Sequence, residues 1–107
     1  MRVLFDQGTP IGLRDSILNH SVRTAYEEGW SMLSNGELLS AAENAGFEVF
    51  LTTDKNLAHQ QNLSKRKIAI VVLGLSRWRL IRTMLPRIAK AVDDARPETY
   101  TLVDIPE

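Results

Sequence analysis

The stretch VFLTTDKNLAHQQN, residues 49–62, predicts a buried strand that ends at an aspartate. Val49, Phe50 and Leu51 form a short apolar run of strand-forming residues, two threonines extend it, and the pattern becomes polar at Asp54. Ligands of open parallel sheets bind outside the carboxyl ends of the strands. Asp54 is therefore a candidate site residue, although an aspartate between a strand and a helix often serves only as a helix cap.

Two further acids occupy similar places in the sequence. Asp6 follows the apolar strand pattern of residues 2–5, and Glu37 lies at the start of a helical pattern, three residues after Ser34. Carboxylate oxygens are the ligands that Mg²⁺ and Mn²⁺ prefer, so Asp6, Glu37 and Asp54 form a candidate metal-binding set. Glu37 has a second interpretation, because Ser34 and Glu37 also match the capping-box pattern of a helix N-terminus.

Length and composition restrict the class of protein. The 107 residues suit one domain, residues 1–107, with 44% hydrophobic and 24% charged residues. No apolar run approaches the roughly 20 residues that a membrane span needs, so no membrane association is expected. The N-terminus has no resemblance to a secretion signal, and the absence of cysteine excludes disulfides and thiolate metal sites. A cytoplasmic location is expected.

Charge is unevenly distributed along a chain whose net charge is +0. Residues 27–54 contain six acids and no base, whereas residues 65–90 contain eight bases and no acid. This separation is typical of a protein that binds cations at one place and a polyanion beside it. The alternative is a helix whose solvated face carries arginines.

The periodicity predicts alternating strands and helices. Strands are expected at residues 2–5, 21–26, 47–53, 68–73 and 100–103. Helices are expected from Pro10 to about residue 18, over residues 34–45 and 56–63, and over residues 78–95, where Pro86 kinks or divides the helix. Ile11, Leu13, Ile17 and Leu18 are predicted to face the sheet, and Trp78 to lie in the core. The order indicates an α/β three-layer sandwich around a mainly parallel sheet of about five strands.

Several short motifs resemble the small PIN-like domain proteins, and they follow one another in the right order over nearly the whole chain. They are the opening strand with Asp6, the segment Gly29-Trp30, the run Asn35-Gly36-Glu37-Leu38-Leu39, Ala42-Glu43, Gly46-Phe47, Thr53-Asp54-Lys55-Asn56-Leu57, Gln60-Gln61-Asn62-Leu63, Arg77-Trp78 and Leu85-Pro86.

The resemblance implies a metal-dependent ribonuclease. PIN domains are α/β sandwiches whose acids bind Mg²⁺ or Mn²⁺ and cut RNA, often as the toxin of a toxin-antitoxin pair. It implies that Asp6, Glu37 and Asp54 are both metal ligands and catalytic residues. Asn56 would be a further ligand at a position where related sequences often have an acid, so a second metal should bind more weakly. The reaction would be phosphodiester hydrolysis by a metal-activated water.

The expected partners follow from the same resemblance. Lys55, Arg77 and Arg79 are candidates for binding the phosphate backbone of single-stranded or structured RNA. An antitoxin protein and a second copy of the chain are further candidate partners.

Two alternatives belong to other functional classes. A phosphoacceptor receiver domain needs an acidic pair after the first strand and a lysine after the fifth, whereas Gln7 follows Asp6 and the last strand ends at Val103-Asp104. A non-catalytic PIN fold that binds RNA or protein is the second alternative. Asn56 favours this module, and the three acids favour the nuclease.

Overall fold

A computed structural model describes residues 1–57, 66–74 and 77–104 of the chain. Within this part, five parallel strands form one sheet in the order β2-β1-β3-β4-β5. The strands are β1 Arg2–Phe5, β2 Ser21–Thr24, β3 Val49–Thr52, β4 Ala69–Leu73 and β5 Tyr100–Val103. The prediction of a mainly parallel sheet of about five strands is confirmed. Because all strands run the same way, their carboxyl ends lie together along one side, called here the carboxyl edge, and their starts form the opposite amino edge.

The helical elements lie between the strands in the chain. They are a 3₁₀ helix Ile11–Ser16, α1 Asn35–Asn44, α2 Trp78–Ile81, a second 3₁₀ helix Arg82–Met84 and α3 Leu85–Asp93. The predicted division at Pro86 is confirmed, since Pro86 lies in the first turn of α3, where a missing backbone N–H breaks no helical hydrogen bond. No helix in the described part of the chain has the length and apolar character that a bilayer crossing requires. The predicted helix over residues 56–63 lies largely outside the described residues.

The core has two parts, one on each face of the sheet. All residues of β3 and β4 are buried, as expected for central strands of a parallel sheet covered on both faces. Successive side chains point to opposite faces. Phe5, Leu51 and Val71 therefore pack with the α3 residues Ile88 and Val92. Leu4, Phe50, Ile70, Leu39 and Ala42 form the second cluster, which includes α1.

The predicted helix after Pro10 is wrong in type, and its predicted orientation is confirmed for only two of the four apolar residues. The chain forms the short 3₁₀ helix, in which Leu13 is buried, and Ile17, which directly follows this helix, is buried as well. Ile11 is 62% exposed and Leu18 is 83% exposed. A 3₁₀ helix has three residues per turn instead of 3.6, so a stripe assigned on α-helical spacing no longer lies on one side.

Trp78 was expected in the core but lies partly at the surface. Trp78 is 39% exposed, and its ring lies against Gly12 of the first 3₁₀ helix. A Cβ atom at Gly12 would come within 2.9 Å of the ring atoms Cη2 and Cζ2. The absence of a side chain at residue 12 therefore lets the ring pack across this helix and leaves its other side in solvent.

Candidate functional site

Asp6 lies directly after β1, at the carboxyl edge. Its backbone N–H donates to the carbonyl oxygen of Leu51 over 2.9 Å, which ties the residue to β3. The carboxylate accepts two hydrogen bonds, one at Oδ1 from the Gln7 N–H over 2.6 Å and one at Oδ2 from the Thr52 hydroxyl over 2.7 Å. Both donors are neutral, and together they fix the position of the carboxylate at this edge.

Asp54 lies two residues after β3 and shares Thr52 with Asp6. Its N–H donates to the Thr52 Oγ1 over 3.1 Å. Oδ1 accepts from the Asn56 N–H over 2.9 Å, a local turn in which the side chain mimics the backbone. Oδ2 accepts from the Asn35 side-chain amide over 3.4 Å, which connects Asp54 to the start of α1. The carboxylate of Asp6 and the backbone N–H of Asp54 thus bind the same hydroxyl group.

Glu37 belongs to the same end of α1 but faces its own helix cap. Its Oε1 accepts from the Ser34 N–H over 3.1 Å and from the Ser34 hydroxyl over 2.9 Å, while the Glu37 N–H donates to Ser34 Oγ over 3.4 Å. The predicted capping box is confirmed. The backbone N–H of Ser34, and then its hydroxyl, hold the pKa of Glu37 below its usual value. These bonds use only Oε1 of the carboxylate.

The charge around the two aspartates suits a cation. Among the described residues, neither Asp6 nor Asp54 forms a salt bridge, although other acids of the chain do. Within residues 1–57, 66–74 and 77–104, no three His, Asp or Glu side chains are grouped closely enough to hold a metal ion. A cation at this edge would therefore have at most two of these carboxylates as ligands. Mg²⁺ usually takes one or two carboxylates and keeps several waters, so the residue types of this edge are compatible with that ion.

Comparison of the chain with protein-family models, with curated proteins and with solved structures found no match.

The basic residues predicted to bind phosphate are exposed. Lys55 and Asn56 follow Asp54 directly, and Arg77 is the residue before α2, four positions after the end of β4. Arg79 is exposed in α2. In the part of the chain that the structure describes, none of these three cations forms a salt bridge. Their charges are available to a polyanion that approaches this edge.

Sequence reasoning did not assign a role to Thr52 or to the Asn35 side chain. Thr52 is 0% exposed, and its hydroxyl donates to one aspartate and accepts from the other. A threonine inside an apolar strand is a usable signal, because a buried hydroxyl needs hydrogen-bond partners and these are sought first among neighbouring polar residues. Asn35 carries no comparable signal, since it lies in a polar segment.

Asp6 also lines a cleft of about 210 Å³. The other lining residues come from the loop after β1, the first 3₁₀ helix, and the end of β2 with the turn that follows: Gln7, Thr9, Ile11, Thr24, Tyr26 and Glu27. A larger cavity of about 410 Å³ lies at the amino edge, where Met1, Phe47 and Ile68 contribute to its walls. Neither Asp6 nor Asp54 lines that larger cavity.

Proposed function

We propose that this chain is a PIN-like, divalent-metal-dependent ribonuclease whose active site is the carboxyl edge of the sheet. One observation carries the proposal: the side chain of Asp6 and the backbone N–H of Asp54 bind one buried hydroxyl, that of Thr52, and neither carboxylate has a cationic partner in the described residues. Two unneutralised carboxylates in adjacent strand ends cost electrostatic energy. A bound cation would offset that cost.

The chain's own residues would hold and orient the metal. Asp6 and Asp54 each have a carboxylate fixed by hydrogen bonds from neutral donors, so little reorganisation is needed when a cation binds. Within the described residues Glu37 is not grouped with the two aspartates closely enough to complete a three-acid site, so a contribution through Oε2, the oxygen that the capping bonds do not use, would require its side chain to turn toward them. Asn56 would contribute through its exposed amide. When bound, Mg²⁺ or Mn²⁺ supplies an activated water and neutralises charge that develops on the phosphoryl group.

The substrate side of the proposal rests on exposed cations. Lys55, Arg77 and Arg79 would contact phosphate oxygens of RNA, which positions the backbone without reading sequence. A cytoplasmic location, an antitoxin protein and a homodimer belong to the same proposal, because they accompany this class of nuclease.

Metal binding and RNA cleavage test the proposal together. Mn²⁺ at about 100 times its Kd should raise the free energy of unfolding by about 2.7 kcal/mol, because the ion binds the folded state. Asp6→Asn and Asp54→Asn should each abolish this gain and the cleavage of single-stranded RNA. Asp94→Asn is the control, since Asp94 forms a surface ion pair with Lys90 away from this edge. An unchanged melting temperature in millimolar Mn²⁺, or equal effects of all three variants, would refute the metal site.

A specific observation favours a second candidate, the non-catalytic module that binds RNA. Glu37 is engaged in the capping box, and the described residues contain no group of three acids that could hold a metal. This function predicts RNA binding in EDTA and no cleavage in Mn²⁺ at any concentration tested.

A further inference from the structure

We propose that the cleft beside Asp6 binds a single nucleobase and that Tyr26 is the surface on which the base stacks. The inference rests on the proposed function, because it assigns a nucleic-acid subsite next to the candidate active site. Tyr26 and Asp6 line the same cleft. They follow neighbouring strands that end together, since Phe5 pairs with Thr24.

Tyr26 has an exposed ring on a firmly held backbone. The residue is 75% exposed, although the preceding Ala25 is only 1% exposed and belongs to the core. The Ala25 N–H donates to Phe5 O over 2.9 Å, and the Tyr26 carbonyl oxygen accepts from the Gly29 N–H over 3.0 Å. The positive φ of Gly29, 78°, allows this turn. An exposed aromatic ring on a fixed backbone can serve as a stacking surface for a base.

Other lining residues of the cleft are also fixed before any ligand binds. Glu27 accepts from the Thr24 N–H over 2.9 Å, and its own N–H donates to Thr24 Oγ1 over 3.1 Å. Arg14 of the first 3₁₀ helix forms a salt bridge with the Glu27 carboxylate. Thr9 is buried at the base of the cleft and donates to Leu51 O over 3.0 Å. A preformed site loses little conformational entropy on binding.

The size and chemistry of the cleft favour a base over a phosphate. Its volume of about 210 Å³ is below the roughly 300 Å³ at which pockets for drug-sized ligands begin, so one planar ring system fits better than a whole nucleotide. The carboxylates of Asp6 and Glu27 would repel a phosphate group. Tyr26 and the 62% exposed Ile11 instead offer apolar surface, and the exposed Gln7 amide offers a donor and an acceptor to a base edge.

The positions of the basic side chains indicate the path that a single nucleic-acid strand would follow across the protein. Lys55 follows Asp54 at the end of β3, and Arg77 follows β4, whereas the cleft lies on the β2 side of Asp6. A single strand can therefore place a base on Tyr26 while its phosphates pass the two aspartates toward the cations. Stacking platforms beside a cationic track are the usual arrangement for single-stranded nucleic acids.

The two tyrosines of the chain provide a matched test. Binding of a fluorescein-labelled oligoribonucleotide of about eight nucleotides, a length within the usual footprint of single-strand binding surfaces, is measured by anisotropy in EDTA to prevent hydrolysis. Tyr26→Ala should weaken binding about 5- to 140-fold, the range that loss of one stacked base gives. Tyr26→Phe should keep the parent affinity. Tyr100→Ala is the control, because Tyr100 is 41% exposed at the start of β5, at the amino edge.

Three further binding measurements distinguish loss of stacking from a general structural effect of the substitution. The slope of log K against log salt should be unchanged in Tyr26→Ala, because the lost contact involves no phosphate. An oligonucleotide of the same length that lacks its bases should bind parent and Tyr26→Ala equally. A DNA strand of the same sequence tests whether the subsite requires RNA; equal dependence on Tyr26 supports recognition of the base alone.

Three results would overturn the inference: no measurable binding by the parent, equal loss in Tyr26→Ala and Tyr100→Ala, or failure of Tyr26→Phe to restore affinity. Cleavage in Mn²⁺ distinguishes this outcome from failure of the proposed function. Intact cleavage with no role for Tyr26 removes only the base subsite, and Tyr26-dependent binding without cleavage removes only the nuclease.

Discussion

The two edges of the sheet use their acidic residues differently. At the amino edge, Glu43 accepts from the Arg66 guanidinium over 2.9 Å, from the Lys67 N–H over 2.7 Å and from the Ile68 N–H over 3.3 Å. At the carboxyl edge, Asp6 and Asp54 accept, within the described part of the chain, only from neutral donors, although Glu27 at that edge pairs with Arg14. The charge of Glu43 is therefore neutralised by the fold, whereas the charges of Asp6 and Asp54 have no cationic partner among the described residues.

This contrast also shows why cavity size does not identify the site. The cavity at the amino edge, about 410 Å³, is roughly twice the volume of the cleft beside Asp6, about 210 Å³. Glu43 lines the larger cavity, but its oxygens already have three partners. Asp6 lines the smaller cleft instead and forms no salt bridge within the described residues.

The largest expected effect on stability comes from comparing two variants, each of which removes one negative charge from one edge of the sheet. Glu43→Gln should lower the free energy of unfolding by about 2 kcal/mol, because its charge-assisted bonds are lost and its amide NH₂ faces backbone donors. Asp54→Asn in metal-free buffer should change it by less than about 0.5 kcal/mol, because the amide oxygen can still accept from the Asn56 N–H and only the long 3.4 Å bond from the Asn35 amide is lost. Chemical denaturation measures both. A larger loss for Asp54→Asn would show that its charge has a structural role.

The pH dependence of stability provides a second test of Glu43. Partial burial raises the pKa of Glu43, but the Arg66 hydrogen bond and the backbone N–H groups of Lys67 and Ile68 outweigh it and place the pKa below 4.5. A depressed pKa in the folded state contributes stability above the unfolded pKa, and that contribution is lost as the pH falls through the folded value. The stability difference between parent and Glu43→Gln should therefore be constant above about pH 5 and shrink below pH 4.5. A difference that does not vary with pH would contradict the charged pairing.

A smaller effect should follow from the hydroxyl that joins the two aspartates. Thr52→Val keeps the shape of the side chain but leaves Asp6 Oδ2 without its donor and the Asp54 N–H without its acceptor, at an expected cost of about 1–2 kcal/mol. Thr53→Val is the control, because Thr53 is only partly buried and makes no side-chain hydrogen bond within the described residues. Equal melting temperatures for the two variants would mean that the bridge contributes nothing.

The regular elements could largely be predicted from the sequence because their signals are local. The bounds of β1 and β5 are as expected, and the ends of β2, β3 and β4 differ from the prediction by one or two residues. Ser34, Glu37 and the positive φ of Gly46, 85°, define α1 as predicted. The errors at Leu18 and Trp78 have a different origin. Both depend on the turn geometry of residues 11–16, which hydrophobic spacing does not reveal.

The candidate site could be predicted only in part, because it depends on how separate segments meet. Aspartates after two parallel strands must reach the same edge, so Asp6 and Asp54 could be named from their positions. The bridging role of Thr52 depends on the side-by-side placement of β1 and β3. The cleft depends on the first 3₁₀ helix and on the turn after β2, and Tyr26 carries no sequence signal that separates it from a packing residue.

The capping box at the carboxyl edge allows Ser34 and Glu37 to be compared. Ser34 only caps the helix, whereas Glu37 is interpreted both as part of the cap and as a metal ligand. Ser34→Ala removes the hydroxyl that accepts from the Glu37 N–H over 3.4 Å and should cost about 1 kcal/mol, a typical value for a lost N-cap. The Mn²⁺ response of the melting temperature should remain that of the parent. Loss of the response in Ser34→Ala would mean that the cap positions the metal ligands.

Glu37→Gln should have the smallest effect on stability and the most informative effect on function. Gln can accept the same bond from the Ser34 N–H, so the expected cost is about 0.3 kcal/mol from the negative charge lost at a helix N-terminus. A metal ligand has no such latitude, because a neutral amide binds a hard dication much more weakly than a carboxylate. If Glu37 contributes Oε2 to the metal, Glu37→Gln should lose most of the Mn²⁺ stabilisation and of the RNA cleavage while it melts almost like the parent in EDTA. Melting curves with and without Mn²⁺, together with a cleavage assay on single-stranded RNA, measure both properties for this variant and for Ser34→Ala. A variant that keeps the parent's Mn²⁺ response and activity would restrict Glu37 to the helix cap and reduce the metal site to Asp6 and Asp54.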